Sequence, residues 1–254
     1  MIGRTIIELD SVDSTNEYSK RLHASSDFED GTVIHAREQF AGRGQHDHTW
    51  ISEPGKNLTC TVCLKPRFLN PGRQFQLNKA IALGILDFIQ FMLNPASRIP
   101  HPASCIKWPN DIYAGNQKIG GILIENRIMG SLLETSFAGI GININQEAFA
   151  PDIPNPVSLI HFLGQETDLK DALQSVCRFL DRRYQELPRD GNDGFDSEFD
   201  ENLMGFGQWR DFLSNGSLME GMVRGVDYSG QLMVETREGK ILRYGHHEIE
   251  YVIC

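Results

Sequence analysis

Residues 105–145, CIKWPNDIYAGNQKIGGILIENRIMGSLLETSFAGIGININ, constrain the fold more than any other stretch. They read as consecutive strands, with turn signals at Gly115-Asn116 and Met129-Gly130. Such turns bring successive strands back beside each other as hairpins. Shorter strands read at 5–9, 31–38 and 57–66. FQLNKAIALGILDFIQFML, residues 75–93, has apolar residues at helical spacing and reads as a helix. So do the amphipathic stretch 167–187 and residues 193–204. Helices and antiparallel strands in one unit imply an α/β (α+β) class. From about Ser214 the pattern changes to short strands between Gly-containing turns, which implies a small β appendage over 214–254.

Charge and cysteine usage narrow the function. The chain has 24 Lys+Arg against 34 Asp+Glu, a formal net charge of -10, and no long basic run. A nucleic-acid footprint needs a basic stripe, so no nucleic-acid partner is expected; a single phosphate needs only a handful of cations. Five cysteines form no even disulfide framework, which points to a reducing, cytoplasmic setting. Cys60 and Cys63 form a CxxC inside a strand, where positions three apart face opposite ways. They read as small apolar side chains, and no dedicated metal site is expected. The apolar stretch 81–93 is interrupted by Asp87 and Gln90 and is too short to span a bilayer, so no membrane partner is expected.

Four segments carry candidate chemistry. QFAGRGQHDHTWISEPGKN, residues 39–57, is a polar loop long enough to imply work. Its Gly42-Arg43-Gly44-Gln45 combines exposed backbone N–H groups with a fixed cationic fork, which suits a carboxylate or phosphate. The alternative is a surface turn with one solvated Arg. The spacing matches neither GxGxxG nor GxxxxGK[ST]. Lys107-Trp108-Pro109-Asn110-Asp111 puts Asn and Asp at a strand end, or is a plain turn with Trp in the core. Lys118 precedes an apolar strand weakened by Gly120 and Gly121, which suits a ligand against the backbone, or an exposed hairpin lysine. In Gly139-Ile140-Gly141-Ile142-Asn143, alternation bares one strand face for a flat group that Asn143 could hold; the alternative is a tightly packed central strand. His46 and His48 read as solvated. The Ser14-Thr15-Asn16-Glu17 stretch suits a helix start, with side-chain oxygens capping it.

In this order the motifs DSTNEY (13–18), QFAGRG (39–44), Trp50 with EPGKNL (53–58), KWPND (107–111), KIGGILIE (118–125) and GIGININ (139–145) resemble the biotin–protein ligases. The resemblance implies a mixed sheet flanked by helices, like class II aminoacyl-tRNA synthetases, as a catalytic domain over 1–213, and an SH3-like β-barrel over 214–254. It implies that biotin is activated with ATP and Mg²⁺ as biotinyl-5′-AMP. The biotinyl group then passes to a lysine of a biotin carboxyl carrier protein or domain. It implies biotin contacts from Ser14, Thr15, Asn16, Gln39, Gly42, Arg43, Gly44, Gln45, Lys118 and Gly121. Nucleotide contacts would come from Arg43, Trp50, Asn57, Asn110, Lys118, Ile142 and Asn143. Arg43, Lys118 and Asp111 would be catalytic, with Asp111 orienting or deprotonating the incoming amine. Two departures stand out. Gln45 and Asp47 replace a frequent Arg and Gly of the loop, which bears on adenylate retention. The biotin-site motif also begins at residue 13, so no DNA-binding segment and no repressor activity are expected. A lipoate or octanoate ligase of the same fold, and a biotin sensor without ligase activity, are the rivals. Monomer and homodimer both remain open.

Overall fold

The computed structural model describes residues 1–45, 48–93, 102–187 and 194–253. The main sheet is built from β1 (Ile6–Val12), β2 (Thr32–Gln39), β3 (Leu58–Leu64), β4 (Ser104–Lys107), β5 (Asp111–Ala114), β6 (Gln117–Met129) and β7 (Leu132–Ile142). Their order is β1-β2-β3-β7-β6-β5-β4. β1 runs parallel to β2, joined through α1 (Thr15–Ser25), while the remaining neighbours are antiparallel. The class is therefore the expected mixed α/β.

Residues 104–142 form the expected meander. Ala114 pairs with Gln117, which leaves Gly115 and Asn116 as the turn, with Gly115 at φ 60°. Met129 pairs with Leu132, so the second turn is Gly130-Ser131, one residue later than the Met129-Gly130 expected. Gly130 also takes φ 60°, and both turns place their glycine first, where a positive φ costs least.

One face of the sheet is covered by α2 (Phe75–Met92), against which α4 (Leu169–Gln185) packs. Leu77, Ile81, Ile85 and Phe88 of α2 and Leu173, Val176 and Leu180 of α4 are buried. Each contributes roughly 1.5–3 kcal/mol by burial. Gly84 lets the helices meet: a Cβ there would stand 2.9 Å from the Leu180 side chain. Cys60 packs into this core, whereas Cys63 packs with Phe28, Ile34 and Phe137 in a separate cluster, as opposite strand faces require. Short helices α3 (Leu159–Leu163) and α5 (Asp196–Glu201) complete the layer.

A second, antiparallel sheet contains β8 (Trp209–Ser214), β9 (Ser217–Val226), β10 (Leu232–Glu235), β11 (Ile241–Tyr244) and β12 (Ile249–Tyr251), in the order β11-β10-β9-β8-β12. It is bolted to the main unit. Trp108 Nε1 donates to the Gly230 carbonyl at 3.0 Å, and the Val226 N–H donates to Asp200 Oδ1 at 3.0 Å. Beside this joint the buried Lys79 pairs with Asp196 at 2.7 Å, its ammonium near the Phe75 and Phe199 rings.

Burial pushes the Asp200 carboxyl up to about 6, against the opposing pull of Lys79. The folded state therefore favours the protonated form. That stabilisation is complete below the ordinary value of 3.8 and is lost as pH rises through about 6. Asp200→Asn keeps an acceptor for Val226 and removes the charge. After discounting for partial exposure, it should stabilise by about 1 kcal/mol at pH 8 and by nothing at pH 3.5. Thermal unfolding at the two pH values checks this; an equal shift at both would sink it.

Candidate active site

The ends of both sheets enclose a cleft of about 340 Å³. Its first wall is the start of α1. Ser14 is the N-cap residue, yet its side chain makes no capping bond. Gln39 at the end of β2 substitutes for it: Gln39 Oε1 accepts from the Thr15 N–H at 2.7 Å and lies 3.1 Å from the Thr15 hydroxyl. The expected capping from within the Ser14–Glu17 stretch is thus corrected, because the amide from β2 reaches the free N–H. The Ser14 hydroxyl, on the cleft wall, is released from that task. Asn16 is buried and held on both sides. Its Nδ2 donates to Glu125 Oε2 at 2.8 Å, and its Oδ1 accepts from the Thr61 hydroxyl at 2.6 Å.

The floor is the bare strand face. Ile140 and Ile142 point into the core, so Gly139 and Gly141 point into the cleft. Gly121 of β6 lies in register with Gly141. The Trp50 indole lies across this glycine pair: a Cβ on Gly121 would stand 3.3 Å from it, and one on Gly141 would overlap it. The face expected to admit a flat ligand held by Asn143 carries the protein's own indole, and Asn143 donates to Val157 O behind it. The indole Nε1 is buried and has no hydrogen-bond partner among the described residues.

Cations occupy the other side. Lys118 Nζ pairs with Asp111 Oδ1 at 2.7 Å and sits 5.9 Å from the Trp50 ring. Arg43 pairs with the Glu17 carboxylate. Its loop is held as a narrow hairpin by Gly44 N–H to His48 O at 2.7 Å and Trp50 N–H to Gly42 O at 3.0 Å. His46 and Asp47 lie outside the described residues, and His48 is an exposed residue at the cleft. Asn110 donates to the Ile122 carbonyl at 2.5 Å, which fixes the turn that presents Asp111.

The structure therefore gathers Ser14, Thr15, Asn16, Gln39, Arg43 and Gly44 at one cleft, together with Gln45, Trp50, Asn110, Asp111, Lys118 and Gly121. Gly42 stands at the base of the loop, its carbonyl taken by Trp50. Asn57, Ile142 and Asn143 stand behind the wall. Asn57 bonds Gln146 at 2.6 Å and the Ile144 N–H at 2.9 Å, Asn143 donates to Val157 O at 3.1 Å, and Ile142 is core.

Sequence reasoning missed several contributors. Lys107 lines the cleft near the faces of Tyr113 and Tyr251, and burial holds its ammonium below the usual lysine range. Its place inside KWPND was the available signal. His246, His247, Glu250 and Tyr251 close the cleft from the second sheet. The His-His pair was visible in the sequence, but no spacing shows that this sheet folds back over the first. Among the described residues no cluster of three or more His, Cys, Asp or Glu could hold a metal ion.

A wall of hydroxyl and amide groups, the cations Arg43, Lys107 and Lys118, and a floor of glycines meet in one cleft. Residues 8–143 match the model of the biotin/lipoate A/B protein ligase family, and the chain belongs to that family. It is similar to the bifunctional ligase/repressor BirA of Bacillus spizizenii, 28% identical over 94% of this chain and 72% of that protein. It is also similar to the biotin–[acetyl-CoA-carboxylase] ligase of Paracoccus denitrificans, 27% identical over 90% of this chain and 93% of that one. In fold it matches the biotin protein ligase of Aquifex aeolicus in complex with biotin and ATP, with a TM-score of 0.77, 24% identity, and 99% and 100% of the two chains covered.

Proposed function

We propose that the protein is an ATP-dependent ligase that joins biotin to a lysine of a biotin carboxyl carrier protein or domain. The observation that carries this reading is the cleft itself. Its hydroxyl and amide wall suits a neutral ureido ring, and Arg43 and Lys118 on the same cleft supply the positive charge that lets a carboxylate meet a phosphate. In the first step a biotin carboxylate oxygen attacks the α-phosphorus of ATP. The bond to the β-phosphate bridge breaks and pyrophosphate leaves. In the second, the carrier amine attacks the acyl carbon, AMP leaves, and the amine gives up a proton. Lys118 and Arg43 neutralise the two anions, and ordering of the Gly42–Gly44 loop over them excludes water. Asp111 starts paired with Lys118; once Lys118 turns to the anions, that carboxylate faces the incoming amine. ATP enters as its Mg²⁺ complex, the ion travelling with the triphosphate as substrate.

The names of the relatives agree with this reading, as does the biotin and ATP bound by the Aquifex enzyme. The proposal keeps two units, a catalytic one and a C-terminal β-unit, with the boundary moved from the expected 213/214 to just before Trp209, where the second sheet starts. Among the described residues the cysteines at 60, 63, 105 and 177 are free, which fits a reducing cytoplasm. No helix among the described residues is long and apolar enough to cross a membrane. Lipoate is disfavoured because a dithiolane offers the Ser14 hydroxyl no polar partner, at about 1–3 kcal/mol for a buried group left unpaired.

Intact mass of a carrier domain, after incubation with the protein, MgATP and either biotin or lipoate, tests the function. A gain of one biotinyl group that requires ATP is expected. A lipoyl gain, or no gain with biotin, would overturn the reading.

A further inference from the structure

We infer that Glu125, backed by Lys20, is a positioning residue that fixes the Asn16 amide so that the ligand meets an oxygen acceptor there and not an N–H donor. This inference rests on the reading of the cleft as a biotin site. An asparagine amide can turn over with little change of shape, and its neighbours decide which end faces where.

Here one side of Asn16 is lined only with acceptors. Nδ2 stands 2.8 Å from Glu125 Oε2 and 3.3 Å from the Leu123 carbonyl. Turning the amide over would set its oxygen against a carboxylate and a carbonyl, which repel it. The other side tolerates either end, because the Thr61 hydroxyl, 2.6 Å from Asn16 Oδ1, can donate or accept. Of the two acceptors, Glu125 is the nearer and the charged one, so it weighs most in the choice.

Glu125 does this from outside the cleft. On β6, residues 121, 123 and 125 share one face. Gly121 and Leu123 line the cleft and Glu125 continues the row beyond it, under α1. Lys20 holds it there: Lys20 Nζ is 2.6 Å from Glu125 Oε1 and 2.9 Å from Glu17 Oε1. With that ammonium on Oε1, the Glu125 side chain is held with Oε2 turned to the Asn16 amide.

The consequence for recognition is specific. Both Asn16 N–H bonds are used within the protein, and one lone pair of its oxygen remains beside Gly139, where a Cβ would stand 2.6 Å away. That lone pair accepts an N–H of a cyclic urea. A dithiolane has no such proton.

The test compares the unsubstituted protein with Glu125→Gln and with the double variant Asn16→Asp/Glu125→Gln. In Glu125→Gln the introduced side chain can turn its own NH₂ toward Asn16, so the Asn16 amide is free to turn over. Calorimetric biotin Kd is expected to rise about tenfold, the loss of one buried hydrogen bond. The kcat at saturating biotin and the thermal midpoint should stay near the unsubstituted values. The double variant exchanges amide and carboxylate across the same contact at constant charge. It returns an acceptor to the ligand and should recover part of the lost affinity, the remainder being held back by the Leu123 carbonyl, which then faces an oxygen. An unchanged Kd in Glu125→Gln overturns the inference, as does a parallel fall of kcat and thermal midpoint, or a double variant no better than the single. Absence of biotin binding in the unsubstituted protein overturns the biotin reading itself and this inference with it.

Discussion

Replacing Lys118 with Ala is expected to slow biotinyl-adenylate formation by about a hundredfold to a thousandfold, the usual effect of removing one preorganised group from developing charge. Two effects add in one direction. The reacting carboxylate and phosphate lose the cation between them. Asp111, now paired with Lys118 at 2.7 Å, is left in the same cleft without its ion-pair partner. The second effect separates from the first in the pair Lys118→Ala/Asp111→Asn, which should recover part of the loss. Pyrophosphate release in single turnover reads the step directly, and biotin Kd controls for binding. A Lys118→Ala enzyme that releases pyrophosphate at the unsubstituted rate would remove Lys118 from the chemistry.

Replacing Gly139 with Ala is expected to weaken biotin binding by about ten- to a hundredfold, because overpacking a well-packed site costs about 1–3 kcal/mol. The added Cβ would stand 2.6 Å from Asn16 Oδ1 and 3.0 Å from its Cγ. Asn16 cannot swing aside without breaking its bonds to Glu125 and Thr61. Gly130→Ala supplies the contrast. Nothing lies within 4 Å of its added Cβ, but its φ of 60° strains any larger residue. That change should lower stability alone and leave biotin affinity intact. Equal binding losses in both variants would show that the effect at Gly139 is general and not a matter of the cleft.

Much of the fold was legible, for identifiable reasons. The meander over 104–142 follows from glycine placement and strand alternation, and the single slip, at Gly130-Ser131, arose because the turn seats its glycine first. The site was legible where chemistry and position coincide in a motif, as at Arg43, Asp111 and Lys118. It was not legible where residues far apart meet. Glu125 reaches Asn16 across 109 positions, and Gln39 caps a helix 24 positions earlier. Nor does a motif show which way its side chains point. Asn57 and Asn143 sit in the matching stretches, yet their amides hold the chain behind the wall together.

The placement of the three tryptophans gives the molecule separate optical reporters. Trp50 lies on the glycine floor beside a lysine ammonium, so its emission should respond to whatever enters the cleft. Trp108 is buried and hydrogen-bonded at the seam between the sheets, so it reports whether the two units stay joined. Trp209 lies under the Arg237 guanidinium at 3.8 Å and reports the second sheet alone. Single-tryptophan variants would thus resolve ligand entry, separation of the units and melting of the outer sheet as three distinct signals from one chain.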